Sequence, residues 1–421
     1  MGAGKTIAAL AVAERENARR ILVICPAMVR AQWVREAQRH LPHLTAAAIE
    51  VGASSAKASK AALARRTLAM SADVQVTSYD LIYSLPRLGW DFIIVDEFHA
   101  LRSVSSKQSQ HIRTFFRHNP DVPALGLSGT PIPNEAKQLW NPVDTFFPGA
   151  WGAQTRPGYE PYSFVNRFCQ KEVNEYGTKF HGLREERREE LAFKFGKISD
   201  RVVQADFAEY LPPLYVEPLE VSAKVAPVTI AKQWLDALGE EARHIGIYCH
   251  LRETARAIHA SLPNSVYIDG SLPTSERDNY LGHARDQDRS IIVGTTHALA
   301  EGISLSFQKA ALVVEWTSDV SNVVQFLGRF SRQDSTSMAP TRVNIAIGPN
   351  DVSAAETIRE RVANINHVIR ASRSTQVAVD AFAAPEMSDD DFFEQLQSIA
   401  VAHERRNRLW SAEEDDDAEE S

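Results

Sequence analysis

Gly2-Ala3-Gly4-Lys5-Thr6 opens the chain, and the apolar stretch Ile7–Ala13 continues from it without a break. These residues are the second half of a phosphate-binding loop, G-x-x-x-x-G-K-[ST], whose first glycine would lie before Met1. Gly4 lets backbone N–H groups close on phosphate oxygens, Lys5 supplies a point charge for the β- and γ-phosphates, and Thr6 offers a hydroxyl to Mg²⁺. Gly2 belongs to the same turn. The helix that follows turns its positive end toward those phosphates. The opening also satisfies the myristoylation pattern M-G-x-x-x-[ST], and Ile7–Ala13 has the length of a minimal signal-peptide core, but Glu14-Arg15-Glu16 interrupts it at once.

A loop of this kind needs a parallel sheet behind it, and the chain supplies the strands. Ile21–Cys25 is an apolar run stopped by Pro26, and a helix pattern follows over Gln32–Leu41. Val74–Tyr79 is a second run with polar groups at its C-terminal end, where open α/β sheets bind ligands. Phe92-Ile93-Ile94-Val95 leads into Asp96-Glu97-Phe98-His99. Two adjacent carboxylates at the mouth of a buried strand are costly without a positive partner, and Mg²⁺–ATP is such a partner. Asp96 is placed to hold the metal, and Glu97 to polarise an attacking water. Leu125–Pro131 is a third run, ending in Ser128 and Thr130.

After residue 215 strand and helix alternate again: 245–249, 266–270 and 290–296 read as strands, with helices over 251–262 and from 275. Gln325-Phe326-Leu327-Gly328-Arg329-Phe330-Ser331-Arg332 fits Q-x-x-G-R-x-x-R, which sets two arginine forks on one helix face. Beyond residue 350, 353–369 and 388–410 read as amphipathic helices, and 411–421 as an acidic tail.

The 421 residues suffice for two ordinary domains. Seven acidic residues between Glu413 and Glu420 supply −7 of the net charge of −8, leaving the body near neutral. Cys25, Cys169 and Cys249 have no metal-ligand spacing and suit a reducing compartment. No apolar run reaches the ~18 residues of a membrane span, so a soluble, cytoplasmic protein with access to DNA is expected.

Taken together, Met1–Thr6, Ile24–Ala27 with Gln32-Trp33, Thr77–Asp80, Asp96–His99 and Ser128–Asn134 resemble motifs I, Ia, Ib, II and III of superfamily 2 helicase-like ATPases. The Gly-Thr-Pro-Ile-x-Asn form points to the Swi/Snf-like branch, and Tyr162–Cys169 with Gly177, Phe180 and Gly182 resembles its annealing-helicase members. Gly328 departs from that branch toward the general superfamily form. The resemblance implies an α/β fold of two tandem RecA-like domains, 1–215 and 216–350, with a helical protrusion over about 135–205, C-terminal helices over 351–410 and a disordered tail.

It further implies that ATP and Mg²⁺ are the cofactors, that Gln325 and Gly302 join the nucleotide site, and that Arg329 and Arg332 reach the γ-phosphate. His99, Ser128 and Thr130 are expected to couple the ATP site to a second surface. Gln32, Thr77, Ser78, His250, Thr295 and Thr296 are expected to meet nucleic acid. Duplex or branched DNA is the expected partner, with the C-terminal helices or tail offered to a protein. Two other readings stay open. One is a chain lacking the strand before motif I, hence a weak or inactive ATPase serving as a binding module; the other is an RNA helicase.

Overall fold

The structure is a computed structural model and describes residues 4–50, 60–85, 89–131, 135–151, 160–174, 177–200, 211–222, 224–239, 242–300, 303–317, 319–332, 339–351, 355, 356 and 358. Gly2, Gly302, the acidic tail and nearly all of the expected C-terminal helices lie outside these residues. The chain divides into two units, with the described residues 4–200 in the first and 211–358 in the second.

The first unit begins with α1 (Lys5–Arg15), β1 (Ile21–Cys25), α2 (Arg30–His40), β2 (Ala46–Ala48), α3 (Lys60–Ala69), β3 (Val74–Ser78), β4 (Phe92–Asp96), α4 (Lys107–Arg117) and β5 (Ala124–Leu127). Its five strands are all parallel, in the order β2-β3-β1-β4-β5. Strands β1, β3 and most of β4 are fully buried, which explains why they read as unbroken apolar runs. Ala9, Leu10 and Ala13 of α1 share a core with Trp33, Ala37, Val23, Val76 and Ile94. Ile112 and Phe116 of α4 join a second core with Leu22, Ile24, Ile93 and Val95. Side chains alternate along a strand, so the two cores lie on opposite faces of the sheet. β5 closes one edge, its residues only half-buried, and among the described residues no strand pairs with its outer side or runs into Gly4.

Residues 135–205, expected to be helical, are mixed. They hold α5 (Trp140–Phe146), α6 (Glu160–Phe168) and α7 (Arg188–Gly196), but also an antiparallel hairpin, β6 (Gln170–Asn174) and β7 (Gly177–His181). The register pairs Val173 with Thr178 and Lys171 with Phe180. β-branched and aromatic residues at these positions favour the pleated form, and Gly177 takes φ +121°, which a side chain resists. Phe164, Phe168, Leu183, Leu191 and Phe195 give this region its own core, with Trp140 at its base.

The second unit comprises β8 (Leu214–Glu220), α8 (Pro227–Leu238), β9 (His244–Cys249), α9 (Arg252–Ser261), β10 (Ser265–Ile268), α10 (Thr274–Arg285), β11 (Ser290–Thr295), α11 (Thr296–Leu299), β12 (Ala310–Val313), α12 (Val320–Leu327) and β13 (Thr341–Ile347). Its six strands are again all parallel, in the order β10-β11-β9-β12-β13-β8. Both units therefore have the RecA-like α/β build. Trp234 is fully buried in the core of the second, and its indole donates to Asn344 Oδ1 at 3.1 Å.

Gly294 of β11 packs tightly against the backbone of β10. A Cβ placed there would stand 2.7 Å from the Ile268 carbonyl oxygen and 3.0 Å from Leu299 Cδ1. The first obstacle is backbone, so it yields only if β10 moves. Gly294→Ala should cost about 1–3 kcal/mol and lower the melting transition of the second unit, with far-UV circular dichroism unchanged below it; an unshifted transition would contradict this packing.

Candidate nucleotide site

Lys5 is the first residue of α1, and Gly4 caps that helix in the left-handed conformation at φ +70°. This geometry is cheap for glycine and puts Lys5 at the positive end of the helix. The Lys5 ammonium lies 3.2 Å from Glu97 Oε1. Motifs 92 residues apart in sequence are thus joined by one ion pair.

Asp96 ends β4, and Glu97 follows with φ +53°. Successive side chains in a strand point to opposite faces, so adjacent carboxylates reach one site only if the backbone departs from extended geometry. The left-handed turn at Glu97 is that departure. His99 Nδ1 lies 3.2 Å from Glu97 Oε2 and 2.9 Å from Ser128 Oγ. Ser128 Oγ also accepts the Thr130 backbone N–H at 3.0 Å. The three residues expected to couple the site to a second surface therefore form a continuous path from Glu97 to the end of β5.

The sequence reading missed what holds Asp96. Trp33 Nε1 of α2 donates to Asp96 Oδ2 at 2.9 Å, and the Tyr79 hydroxyl donates to the Asp96 carbonyl at 2.7 Å. Gln32-Trp33 and Tyr79 were visible as motif residues, but no spacing rule links them to a carboxylate 63 or 17 positions away.

The two carboxylates are driven apart electrostatically. Burial, and then the Glu97 charge, pushes the Asp96 carboxyl above its usual range, against the opposing pull of Lys5 and the Trp33 hydrogen bond. Burial also pushes Glu97 up, but the Lys5 charge and the His99 contact outweigh it and hold Glu97 well below the ordinary glutamate range. Glu97 is thus firmly ionised, while Asp96 is short of positive charge. Among the described residues no group of three His, Cys, Asp or Glu side chains forms a metal cage. A carboxylate and the Thr6 hydroxyl beside phosphate oxygens are the donor set that suits Mg²⁺, which keeps several waters and seldom uses an all-protein cage. The residues present fit that ion.

The remaining expected residues sit as follows. Thr77 and Ser78 are buried within β3, and Thr295 and Thr296 are buried at the end of β11 and the start of α11. Gln32 is half-buried and His250 exposed. In the second unit Gln325 is buried, and Arg329 is only 8% exposed. Arg329 donates through Nε and Nη2 to the Ala300 carbonyl, and Nη1 stands 3.5 Å from the Ile303 carbonyl. Arg332, partly exposed, donates Nη1 to Ile303 at 2.9 Å. Both guanidinium groups, expected at a phosphate, lie on the backbone carbonyls of Ala300 and Ile303 in this structure.

The SNF2-related domain model matches residues 1–217, just over half of the chain and all of the assembled site. The chain belongs to that family. It is a superfamily 2 ATPase of the Swi/Snf branch, whose members use ATP with Mg²⁺. Its relatives include the TATA-binding protein-associated factor mot1 of Schizosaccharomyces pombe, 28% identical over 137 residues, 32% of this chain and 6% of that protein. The chromatin-remodeling ATPase INO80 of Eremothecium gossypii is 31% identical over 153 residues, 33% of this chain and 10% of that one. The ISWI chromatin-remodeling complex ATPase ISW2 of Saccharomyces cerevisiae is 29% identical over 136 residues, 31% and 11% respectively. The chain thus spans a small fraction of the length of these relatives. Among solved structures, the Sulfolobus solfataricus SWI2/SNF2 ATPase core in complex with dsDNA aligns over 88% of this chain and 92% of its own, at 17% identity and TM-score 0.40.

The Asp96 environment predicts a trade between stability and chemistry. A carboxyl whose pKa is higher folded than unfolded costs stability once the pH rises past its unfolded value of about 3.9, at about 1.4 kcal/mol for each unit of displacement. Asp96→Asn, which can still accept the Trp33 bond, should therefore raise the melting temperature of the nucleotide-free protein at pH 7. The gain should shrink as the pH falls toward about 4, where the unfolded carboxyl is protonated as well. Parallel melts of both proteins from pH 7 to 4 check the sign; a destabilised variant at pH 7 would show that the charge is satisfied without nucleotide.

Proposed function

We propose that this chain is an ATP-dependent motor acting on DNA. The observation that carries the reading is the Lys5–Glu97 ion pair at the head of α1, with Asp96 and its raised carboxyl beside it. Lys5 is held at 3.2 Å from an anionic oxygen. A bound triphosphate offers the same charge at the same helix end, so Lys5 exchanges Glu97 for phosphate as the nucleotide enters. Losing Lys5 removes the charge that holds the Glu97 carboxyl low, so Glu97, steadied by His99, becomes more basic and orients and polarises the attacking water. Asp96 and Thr6 would hold Mg²⁺, which supplies positive charge against the phosphate oxygens.

Arg329 and Arg332 are the proposed groups that meet the γ-phosphate from the second unit. To do so each would exchange backbone carbonyls, Ala300 and Ile303 for Arg329 and Ile303 for Arg332, for charged phosphate oxygens. DNA is proposed as the polymer because the family's named relatives act in chromatin and at a TATA-binding factor, and phosphate-backbone contact suits a motor that moves without reading bases. Intracellular residence follows from that substrate.

A second reading, a module that binds DNA or protein with weak or absent hydrolysis, is favoured by one observation: the Arg329 and Arg332 guanidinium groups lie on the backbone carbonyls of Ala300 and Ile303.

ATP hydrolysis by the 421-residue chain with duplex DNA, duplex RNA and no polymer decides between them. Duplex DNA should stimulate turnover and RNA should not. Lys5→Ala should lower kcat by about 10² to 10³ and Arg332→Ala by about 10³, with both proteins folded. DNA binding without turnover would favour the module, and stimulation by RNA alone would reassign the polymer.

A further inference from the structure

We infer that Trp33 is a positioning residue for the Asp96 carboxylate and thereby sets how well Mg²⁺ is held with the nucleotide; this rests on the ATPase reading above. Trp33 is 2% exposed and shares a core with Ala9, Leu10 and Ala13 of α1. An indole has one polar atom, a donor, and a buried one needs an acceptor. Here the acceptor is Asp96 Oδ2, at 2.9 Å. The bond is charge-assisted, and it fixes the plane of a carboxylate that otherwise turns about its terminal torsion. It also occupies one oxygen, so that Oδ1 is the one left outside the indole bond.

The main chain of the same residue is held from a second element. The Tyr79 hydroxyl, just past β3, donates to the Asp96 carbonyl at 2.7 Å. Side chain and backbone of Asp96 are thus fixed from α2 and from the end of β3. Trp33 does a second thing through its ring. It packs in one cluster with the helix that begins at Lys5 and Thr6, so the phosphate-facing helix and the metal-facing carboxylate share one rigid support. Outer-shell partners of this kind typically change metal affinity or activity by about 10- to 100-fold.

The test uses the full chain, equilibrium binding of a fluorescent ATP analogue, and a Mg²⁺ titration. Trp33→Phe keeps most of the apolar ring and removes the N–H. Nucleotide affinity without Mg²⁺ should stay within about twofold, while the Mg²⁺ concentration at half-saturation rises by about tenfold. The Trp33→Phe, Asp96→Ala double variant should match Asp96→Ala alone, because a residue that acts through the Asp96 side chain adds nothing once that side chain is gone. A Mg²⁺ midpoint unchanged in folded Trp33→Phe, or additive effects in the double variant, would overturn the inference. A general packing defect would lower affinity equally with and without Mg²⁺, which also counts against it. If Trp33→Phe melts below the assay temperature, 3-benzothienylalanine at position 33 has the shape of the indole without its donor and is read by the same criteria. A wild-type chain without Mg²⁺-dependent nucleotide binding would remove the ATPase reading itself; wild-type binding with an unaltered variant removes only this inference.

Discussion

Two carboxylates sit side by side at the end of a buried strand, and the arrangement of the first unit follows from making that tolerable. Like charges this close resist joint ionisation, and burial makes each more costly. The structure answers by giving the neighbours different surroundings. A left-handed backbone turn, which costs a residue with a side chain about 1–2 kcal/mol, brings Glu97 to the same rim, where it meets Lys5 and His99. Asp96 stays in line with β4 and receives the Trp33 indole, while the nearby Lys5 ammonium is paired with Glu97. One carboxylate is kept ionised and the other is left wanting a cation. Adjacent acids thereby acquire distinct roles from environment alone.

The parallel sheet is what brings these groups together. In a parallel sheet every strand ends on the same side, so residues far apart in sequence meet at one rim. Lys5 opens α1, Trp33 stands on α2, Tyr79 follows β3, and Ser128 follows β5, yet all reach the end of β4 within one hydrogen bond or two. The second unit prepares its rim differently. Tyr248, fully buried, lies against Phe326 and Phe330 with ring centroids 4.9 and 6.1 Å away, and Phe326 and Phe330 meet edge-on at 5.3 Å. The Tyr248 hydroxyl donates to Gln308 at 2.5 Å. That aromatic wedge fixes the end of α12, so the arginines that follow start from a rigid base.

Much of this was legible because burial on both faces writes itself into composition. Ile21–Cys25, Phe92–Val95 and Ser290–Val293 could be read as strands since no solvent-facing side interrupts them. The phosphate-loop lysine and the paired acids were legible because their chemistry is rare at those positions. The hairpin strands 170–174 and 177–181 were not, for the opposite reason: most of their described residues meet water, polar residues dominate them, and two strands alone leave almost no apolar signature. Nor does sequence state which hydroxyl is covered. Thr77 and Thr295 occupy strand ends where ligands commonly bind, but the neighbouring elements bury them. Trp33 carries the same lesson in reverse, since an apolar periodicity explains its ring and says nothing of the single N–H that finds Asp96.

The arginines add a step that concerns resting state and work. Arg329 gives its fork to Ala300 and approaches Ile303, while the Leu305 N–H donates back to the Arg329 carbonyl at 2.9 Å. Side chain and backbone of one residue thus hold Ala300, Ile303 and Leu305. Arg332 also donates to the Ile303 carbonyl. A guanidinium that moves to a phosphate must first surrender its carbonyls, and each buried acceptor left unpaired costs about 1–3 kcal/mol. Exchanging a neutral carbonyl for a charged phosphate oxygen offsets that cost, since charge-assisted hydrogen bonds are roughly twice as strong as neutral ones. For Arg329 the exchange is tied to the Ala300, Ile303 and Leu305 backbone that it holds, so its movement to a nucleotide would loosen those residues.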